Sequence, residues 1–283
     1  SAASDVYKRQ TSASLTIVTF PMQPPAGDNQ CLWSVLPPAR LATFAAHAKG
    51  DLDRALDIYT WDRALSAAVF ADIAVVEVAL RDAVHKAATR EWGAHWYESI
   101  PLDDRNSTQL AEAWRRLPKR TQDEARASDV PGRLVANCMF GFWTNLFDEG
   151  GFAGRQPRRK KVDYEANWKV LRNAFPGGPA EARAERQRIS QELGTMVDKP
   201  GFSREWVHTT CKNVNDLRNR VAHHEPLING FPLKGRQRRM TAAEGYAEYV
   251  KLARMIDTGL GHWLQHHSDV PNILSATSRD DSA

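Results

Sequence analysis

The stretch that decides the fold class runs from residue 61 to residue 92 and reads WDRALSAAVFADIAVVEVALRDAVHKAATREW. Apolar residues recur in it every three or four positions, which is the period of one face of an α-helix. The residues that form this stripe are Leu65, Val69, Ile73, Val76, Leu80 and Val84. A stripe of this length predicts one helix of many turns that packs a single face against the core.

Two further segments carry the helical period. In residues 134–147 the apolar stripe consists of Leu134, Cys138, Phe142 and Leu146. Its neighbours are also apolar, so the segment is apolar nearly all round, which predicts one central helix. The second segment opens with a capping box, in which Thr241 and Glu244 can satisfy free backbone donors reciprocally. Its stripe continues to Trp263, so we expect one last long helix. Strand-like alternation is nearly absent, and the sequence predicts an all-α bundle of seven to nine helices.

The composition is that of a folded chain without a membrane span. Of the 283 residues, 42% are hydrophobic and 25% are charged, and the formal net charge is +4. No run approaches the roughly 18 consecutive apolar residues of a transmembrane helix. The three cysteines form no CxxC pair, which argues against a disulfide framework and a cysteine-ligated zinc site. We expect a cytoplasmic protein, not bound to a membrane, whose mild positive charge tolerates a polyanion partner.

The ends of the chain read differently from its middle. Residues 1–10 look like the in-frame translation of a sequencing adapter, so we interpret them as an assembly scar. Residues 11–32 are rich in Ser, Thr, Pro and Gly and predict a disordered lead-in. One helical domain is expected over 33–270, with its weakest point at Gly150–Lys161, and a disordered tail over 271–283.

The segment from residue 203 to residue 227 contains the candidate chemistry. As a helix it has an apolar face that includes Cys211, so this thiol is expected to be a packing residue. Arg218 falls inside the apolar arc, although a guanidinium is almost never fully buried without a partner. Asn219 and His223 share the neighbouring face, and Pro226 ends the helix around residues 223–225. Arg218, Asn219 and the pair His223 and His224 therefore meet at one helix end.

These residue types suit RNA cleavage without a metal. Histidine titrates near neutral pH and can move protons, and arginine can hold a phosphate bidentately and stabilise a developing negative charge. Such cleavage needs deprotonation of the 2′-hydroxyl, stabilisation of the phosphorane and protonation of the leaving 5′-oxygen. The sequence therefore offers Arg218, Asn219, His223 and His224 as a candidate catalytic site.

A structural interpretation of the same residues stays open. A histidine in the last helical turn is favoured by the helix dipole alone, and an arginine on a core face can pair with a buried carboxylate. Glu77, at the edge of the long stripe, is a suitable carboxylate. Glu77 and Arg81 lie at i, i+4, so we expect a structural ion pair first and a supporting role beside the site second.

Residues 217–227 read LRNRVAHHEPL. This sequence resembles the signature of the Abi-like (abortive infection) proteins, a branch of the HEPN superfamily, whose mark is an arginine, a polar residue, three further residues and a histidine. Other segments agree in order: YTWD at 59–62, Glu77 with LRD at 80–82, and FGFW at 140–143. The resemblance covers most of the chain from Trp33 to Trp263. Asp82 stands where that family has an asparagine.

The resemblance implies an all-α, HEPN-like helical bundle with additional helices. It also implies a metal-independent endoribonuclease toxin of anti-phage defence, active as a homodimer because the site is composite. Arg218 would stabilise the phosphorane, His223 would act as general base or acid, and Asn219 would orient the phosphate or His223. His224 is the reserve candidate. The alternative is a non-catalytic RNA-binding or phage-sensing module, and either protein could need an antitoxin or a phage trigger as partner.

Two basic runs could contact an RNA backbone through its phosphates. The first ends in Arg158, Arg159, Lys160 and Lys161, and the second consists of Lys234, Arg236, Arg238 and Arg239. For either run alone, a solvated charged loop is the more common explanation.

Other motifs are weak or missing. His262 and His266 have zinc-compatible spacing, but no HExxH glutamate or cysteine accompanies them, so no metal site is expected. The chain has no Walker loop, no GxGxxG after a strand and no GxSxG, and no cofactor is expected. The tryptophans on or beside the helical stripes are expected in the core rather than as platforms for bases; they are Trp61, Trp143, Trp206 and Trp263.

Overall fold

The computed structural model of the chain describes residues 30–233 and 237–280, with the side chains of 31–233 and 237–276. The expected scar at 1–10, the lead-in up to residue 29, Lys234 and Arg236 lie outside the described residues. Within these ranges the chain is mostly helical, which confirms the all-α prediction.

The helices, in chain order, are α1 (Gln30–Val35), α2 (Pro38–His47), α3 (Leu52–Trp92), α4 (Asp104–Arg115), α5 (Lys119–Asp123), α6 (Val130–Asn137), α7 (Phe140–Asn145), α8 (Tyr164–Leu171), α9 (Gly178–Leu193), α10 (Arg204–Ala222), α11 (Ala242–Ile256), α12 (Thr258–His267) and α13 (Val270–Asp280). Two short 3₁₀ turns cover Trp96–Glu98 and Arg172–Ala174. This is more than the seven to nine helices predicted, in part because two of the predicted helices are each divided into two.

In the part of the chain that the structure describes, two short antiparallel ribbons accompany the helices. Strand β1 (Phe152–Ala153) pairs with β2 (Lys160–Lys161), and β3 (Phe231–Pro232) pairs with β4 (Arg239–Met240). In the second ribbon Phe231 lies opposite Met240 and Pro232 opposite Arg239. The β3–β4 ribbon follows α10 directly, so it lies next to the candidate site in the chain.

The predicted central helix over 134–147 is wrong in one respect, because the chain is extended at Cys138 and Met139 and separates α6 from α7. Phe140, Phe142 and Trp143 point in different directions around a helix, and all three are fully buried after the break. The redirected α7 therefore buries more aromatic surface than one face of a straight helix could.

The predicted last helix is also divided. Asp257 has extended backbone between α11 and α12, and its Oδ1 accepts a hydrogen bond from the Leu260 N–H at 2.8 Å, which begins a new helix. The change of direction leaves Trp263 46% exposed, so the expectation that it is a core residue is wrong. The capping box of Thr241 and Glu244 is present as predicted.

The chain divides into two compact units, one ending at Arg63 and the other beginning at Ala64. The units divide within α3, and the β1–β2 ribbon lies in Gly150–Lys161, the weakest point that the sequence predicts for its one domain. A boundary inside a continuous helix has no linker that a sequence could reveal. In the first unit Leu41, Phe44 and Leu56 are buried.

The second unit holds the core along α3. The predicted stripe is confirmed, since each of its members is fully buried: Leu65, Val69, Ile73, Val76, Leu80 and Val84. Asp72 connects α3 to the C-terminal helices, because its Oδ2 accepts hydrogen bonds from Tyr249 Oη at 2.7 Å and from Ser268 Oγ at 2.6 Å. Beyond that point, the segment for which a disordered tail is predicted is helical as far as Asp280.

Candidate functional site

Helix α10 carries the candidate site and is fixed at both ends by its own sequence. Ser203 caps its start, where the hydroxyl accepts a hydrogen bond from the Trp206 N–H at 3.3 Å. The apolar face predicted for it is buried, and it consists of Val207, Cys211, Val214, Leu217 and Val221. Burial raises the pKa of the Cys211 thiol, so this residue packs in the core and is not a nucleophile.

The helix ends in a Schellman motif formed by the two histidines and the residues before them. His223 is the C-cap, the His224 N–H donates to Val221 O at 3.1 Å, and the Glu225 N–H donates to Arg220 O at 3.0 Å. His224 occupies the left-handed position of this motif, with φ of 58°. Glycine is the usual residue there, and histidine adopts this conformation more readily than most other side chains.

Arg220 holds the loop that follows the helix. Its Nε donates to Pro226 O at 2.8 Å, and its Nη1 pairs with Glu225 Oε2 at 2.7 Å. The Arg220 side chain is only 13% exposed. The role of Arg220 is not predictable from the sequence, because it depends on the path of the loop after the helix and no spacing pattern encodes that path.

Arg218 is paired with the buried carboxylate that the sequence offers for it. Arg218 Nε lies 3.6 Å from Glu77 Oε2, and Arg218 Nη1 donates to Asn219 Oδ1 at 3.5 Å. The other oxygen of Glu77 contacts Arg81, whose Nη1 donates to Ala136 O at 3.0 Å. Glu77 is 7% exposed, so one buried carboxylate on α3 holds two guanidinium groups.

Asn219 and His223 open onto a cleft of about 360 Å³ beside the β3–β4 ribbon, here called the His223 cleft. Its described lining residues are Asp216, Asn219, Arg220, His223, Glu225, Phe231, Pro232 and Leu233. The imidazoles of His223 and His224 are both exposed. The structure thus places Asn219 and His223 in the cleft, whereas neither Arg218 nor His224 is among its described lining residues.

Comparison with known proteins does not identify a family for this chain. No protein-family model, curated protein or solved structure matches the chain. The residues and contacts of the site are therefore what bears on function.

The first basic run lies on the β1–β2 ribbon. Arg158, Arg159, Lys160 and Lys161 are exposed there. The Arg159 guanidinium stands 4.6 Å from the centre of the Phe152 ring, and Lys161 Nζ is 3.7 Å from Glu149 Oε2. None of these residues is among the described residues that line the His223 cleft.

In the second basic run Arg239 lies next to the site loop. It donates to Asn229 O at 2.8 Å and to Gly230 O at 2.9 Å, in the turn that precedes β3. Arg238 forms an ion pair with Glu244. Lys234 and Arg236 belong to the three residues between β3 and β4 that lie outside the described ranges.

His208 is a titratable group on α10 that the sequence analysis did not single out. It lies three turns before Asn219 on the same helix, and this helical spacing is a signal that could have identified it. Burial lowers its pKa, and the nearby Asp148 carboxylate opposes that shift. Asp148 is itself paired with Arg105, whose Nη2 lies 2.9 Å from Asp148 Oδ2.

The described residues offer neither a metal site nor a membrane-spanning helix. No group of three or more His, Cys, Asp or Glu side chains within them is arranged to hold a metal ion. None of the described helices has both the length and the apolar character needed to cross a bilayer. Trp143 and Trp206 are buried, whereas Trp263 stacks on His267 with ring centres 4.8 Å apart.

Proposed function

We propose that this protein is a metal-independent endoribonuclease toxin of the abortive-infection type, with its site at the end of α10. The observation that carries the proposal is the meeting of three suited groups at one helix terminus. Arg218 contacts Asn219, and Asn219 shares the His223 cleft with an exposed imidazole. The order and spacing of these residues are also what the resemblance to Abi-like HEPN proteins rests on.

Each group has a role that its surroundings support. His223, exposed at the helix C-cap, would exchange protons with the 2′-hydroxyl or the 5′-oxygen of RNA. Arg218 would stabilise the charge of the phosphorane. Glu77 contacts the Nε atom of Arg218, so the two Nη groups of this arginine are not occupied by the carboxylate, and Nη1 contacts Asn219. Asn219 would orient the phosphate or His223.

The proposal includes a homodimer, because a composite site takes its catalytic groups from two copies. It also includes a cytoplasmic setting and regulation by an antitoxin or a phage trigger. The exposed arginines and lysines of the β1–β2 ribbon, together with Arg238 and Arg239, would contribute phosphate contacts that do not depend on sequence.

Incubation of the purified protein with RNA in EDTA tests the reaction. We expect cleavage that leaves 2′,3′-cyclic phosphate ends, and no cleavage by His223→Ala or Arg218→Ala. His266→Ala is the matched control, because His266 is also an exposed histidine near a helix C-terminus. Cleavage that requires a divalent metal, or that persists in both site variants, contradicts the proposal.

A second candidate function is supported by the Glu77–Arg218 ion pair. An arginine held by a buried carboxylate can be purely structural. The protein would then be a non-catalytic RNA-binding or phage-sensing module that acts with a partner. Growth after induced expression distinguishes the two: the enzyme arrests growth and its His223→Ala variant does not, whereas the binding module gives no arrest in either form while still binding RNA.

A further inference from the structure

A second cleft lies between α9, α10, α11 and the β3–β4 ribbon, and of its described lining residues the proposed function uses Arg238 and Arg239, for contacts with RNA phosphates. It has a volume of about 710 Å³ and is here called the Trp206 cleft. That volume is within the range of small-molecule sites. Trp206 and Asn213 of α10 are buried in its wall, and Ala184 and Ala247 face it with small side chains that leave the space open.

The floor of the Trp206 cleft is a hydrogen-bonded network with one carboxylate in excess. Lys251 Nζ donates to Glu185 Oε2 at 3.0 Å and to Glu248 Oε1 at 2.6 Å. Glu185 also accepts from Trp206 Nε1 at 3.3 Å, and Glu248 accepts from Asn213 Nδ2 at 2.9 Å. Two carboxylates share one ammonium, so this floor favours a ligand that donates hydrogen bonds, as a hydroxyl does.

The rim of the cleft carries positive charge, in contrast to the floor. Arg239 hydrogen-bonds to two backbone carbonyls, and no carboxylate of the described residues forms an ion pair with it. Arg188 pairs with Glu192, which is well exposed and is not among the described lining residues. The other lining cations are matched within the cleft, Arg254 by Glu181 and Arg238 by Glu244. The charge of Arg239 is therefore not neutralised by a described carboxylate, and Arg188 can exchange its solvent-exposed partner Glu192 for an anionic ligand.

We propose that the Trp206 cleft binds a small sugar phosphate. A phosphate monoester carries a charge of about −1.5 to −2 at pH 7, which suits the positive charge of the two rim guanidiniums. The sugar hydroxyls donate to Glu185 and Glu248 on the floor. A carboxylate metabolite offers less charge to the rim, and a plain sugar offers none.

Calorimetry with ribose 5-phosphate as the probe tests the site, with ribose and inorganic phosphate as comparison probes. We expect binding of ribose 5-phosphate, no binding of ribose, and inorganic phosphate weaker by about tenfold or more, since it lacks the hydroxyl contacts. Arg239→Gln and Arg188→Gln should each weaken binding by about tenfold, the effect of losing one charge-assisted hydrogen bond. Arg188 is exposed in a helix, so its variant is expected to fold even if the Arg239 variant does not.

The controls separate this site from the proposed catalytic one. Arg183→Gln changes an exposed arginine of the same helix that is not among the described lining residues, and it should bind as the unchanged protein does. His223→Ala should also bind normally, whether or not the protein cleaves RNA. The proposal is overturned if ribose 5-phosphate gives no binding at about 1 mM, where even weak specific ligands register. Inorganic phosphate that binds equally well, or rim variants with unchanged affinity, would overturn it too.

Discussion

Glu77 Oε2 lies 3.6 Å from Arg218 Nε, and this contact joins the middle of α3 to the last turns of α10. Glu77 also contacts Arg81, so its carboxylate is the negative charge between two guanidiniums. The position of Arg218, and with it the candidate site, therefore depends on a residue 141 positions earlier in the chain.

Glu77→Gln should destabilise the fold by about 2–3 kcal/mol, because removal of one partner from a buried ion pair leaves the other charges uncompensated. The expected destabilisation is smaller than for a fully buried ion pair, because the side chains of Arg81 and Arg218 are both about one-fifth exposed. Urea unfolding measures it. Asp82→Asn is the control: Asp82 pairs with Lys86 in solvent on the same helix, and its loss should cost less than about 0.5 kcal/mol. Equal losses for the two variants would contradict the structural role of Glu77.

His224→Gly should stabilise the protein by about 1 kcal/mol, because glycine adopts the left-handed conformation of His224 without the steric cost of a Cβ atom. His224→Val should destabilise it, since a β-branched residue is strained there. Thermal unfolding measures both changes. The same glycine variant separates the two histidines: retained toxicity assigns the chemistry to His223, and lost toxicity assigns it to His224.

Arg220→Met should loosen the loop after α10, because it removes the hydrogen bond to Pro226 O and the ion pair with Glu225. We expect faster amide hydrogen exchange at His224, Glu225, Leu227 and Ile228, and a decrease of about 1–2 kcal/mol in the free energy of unfolding. Lys212→Met provides the comparison, since it breaks only an i, i+4 pair with Asp216 on α10. Exchange that is unchanged in the Arg220 variant would show that the loop is held by other contacts.

His85 should make stability fall as the pH decreases. Burial lowers its pKa below the ordinary value, an effect that Asp82 opposes, and its Nδ1 accepts a hydrogen bond from Trp96 Nε1 at 2.9 Å. The unfolded chain therefore binds the proton more tightly, and stability is lost as the pH falls through the ordinary histidine pKa of about 6.5. His208, whose pKa is also lowered, contributes with the same sign.

Midpoints of thermal unfolding at several pH values check this prediction. His85→Gln should flatten the decline, because glutamine can still accept from Trp96 but has no proton to gain. His47→Gln is the control, since His47 is an exposed histidine in the first unit. A decline that is equally steep in both variants would contradict the assignment to His85.

The sequence was sufficient for features that depend on periodicity. The stripe of α3, the buried face of α10 and the placement of Arg218 inside an apolar arc follow from spacing alone, and the arc already required a carboxylate such as Glu77. The breaks at Cys138 and Asp257 could not be predicted in this way, because the apolar period continues across both. Tertiary packing decides them. At Cys138, the break allows Phe140 and Trp143 to be buried, which a continuous helix would not allow.

The site was only partly predictable for a related reason. Helix spacing brings Asn219 and His223 to one side, but the wall opposite them comes from Phe231, Pro232 and Leu233. That wall and the role of Arg220 depend on how the chain turns after Pro226, where no regular period applies. The Trp206 cleft depends on three helices and a ribbon together, so no single segment indicates it.

The three cysteines differ in a way that has a practical consequence. Cys138 and Cys211 are buried, and burial raises the pKa of Cys138 to about 12, whereas Cys31 is exposed. A maleimide dye added to the native protein should therefore attach at Cys31 and leave the other two thiols unmodified. The unmutated chain can thus carry one fluorophore at a known position, and the anisotropy of its emission would report when RNA or a second copy enlarges the tumbling particle.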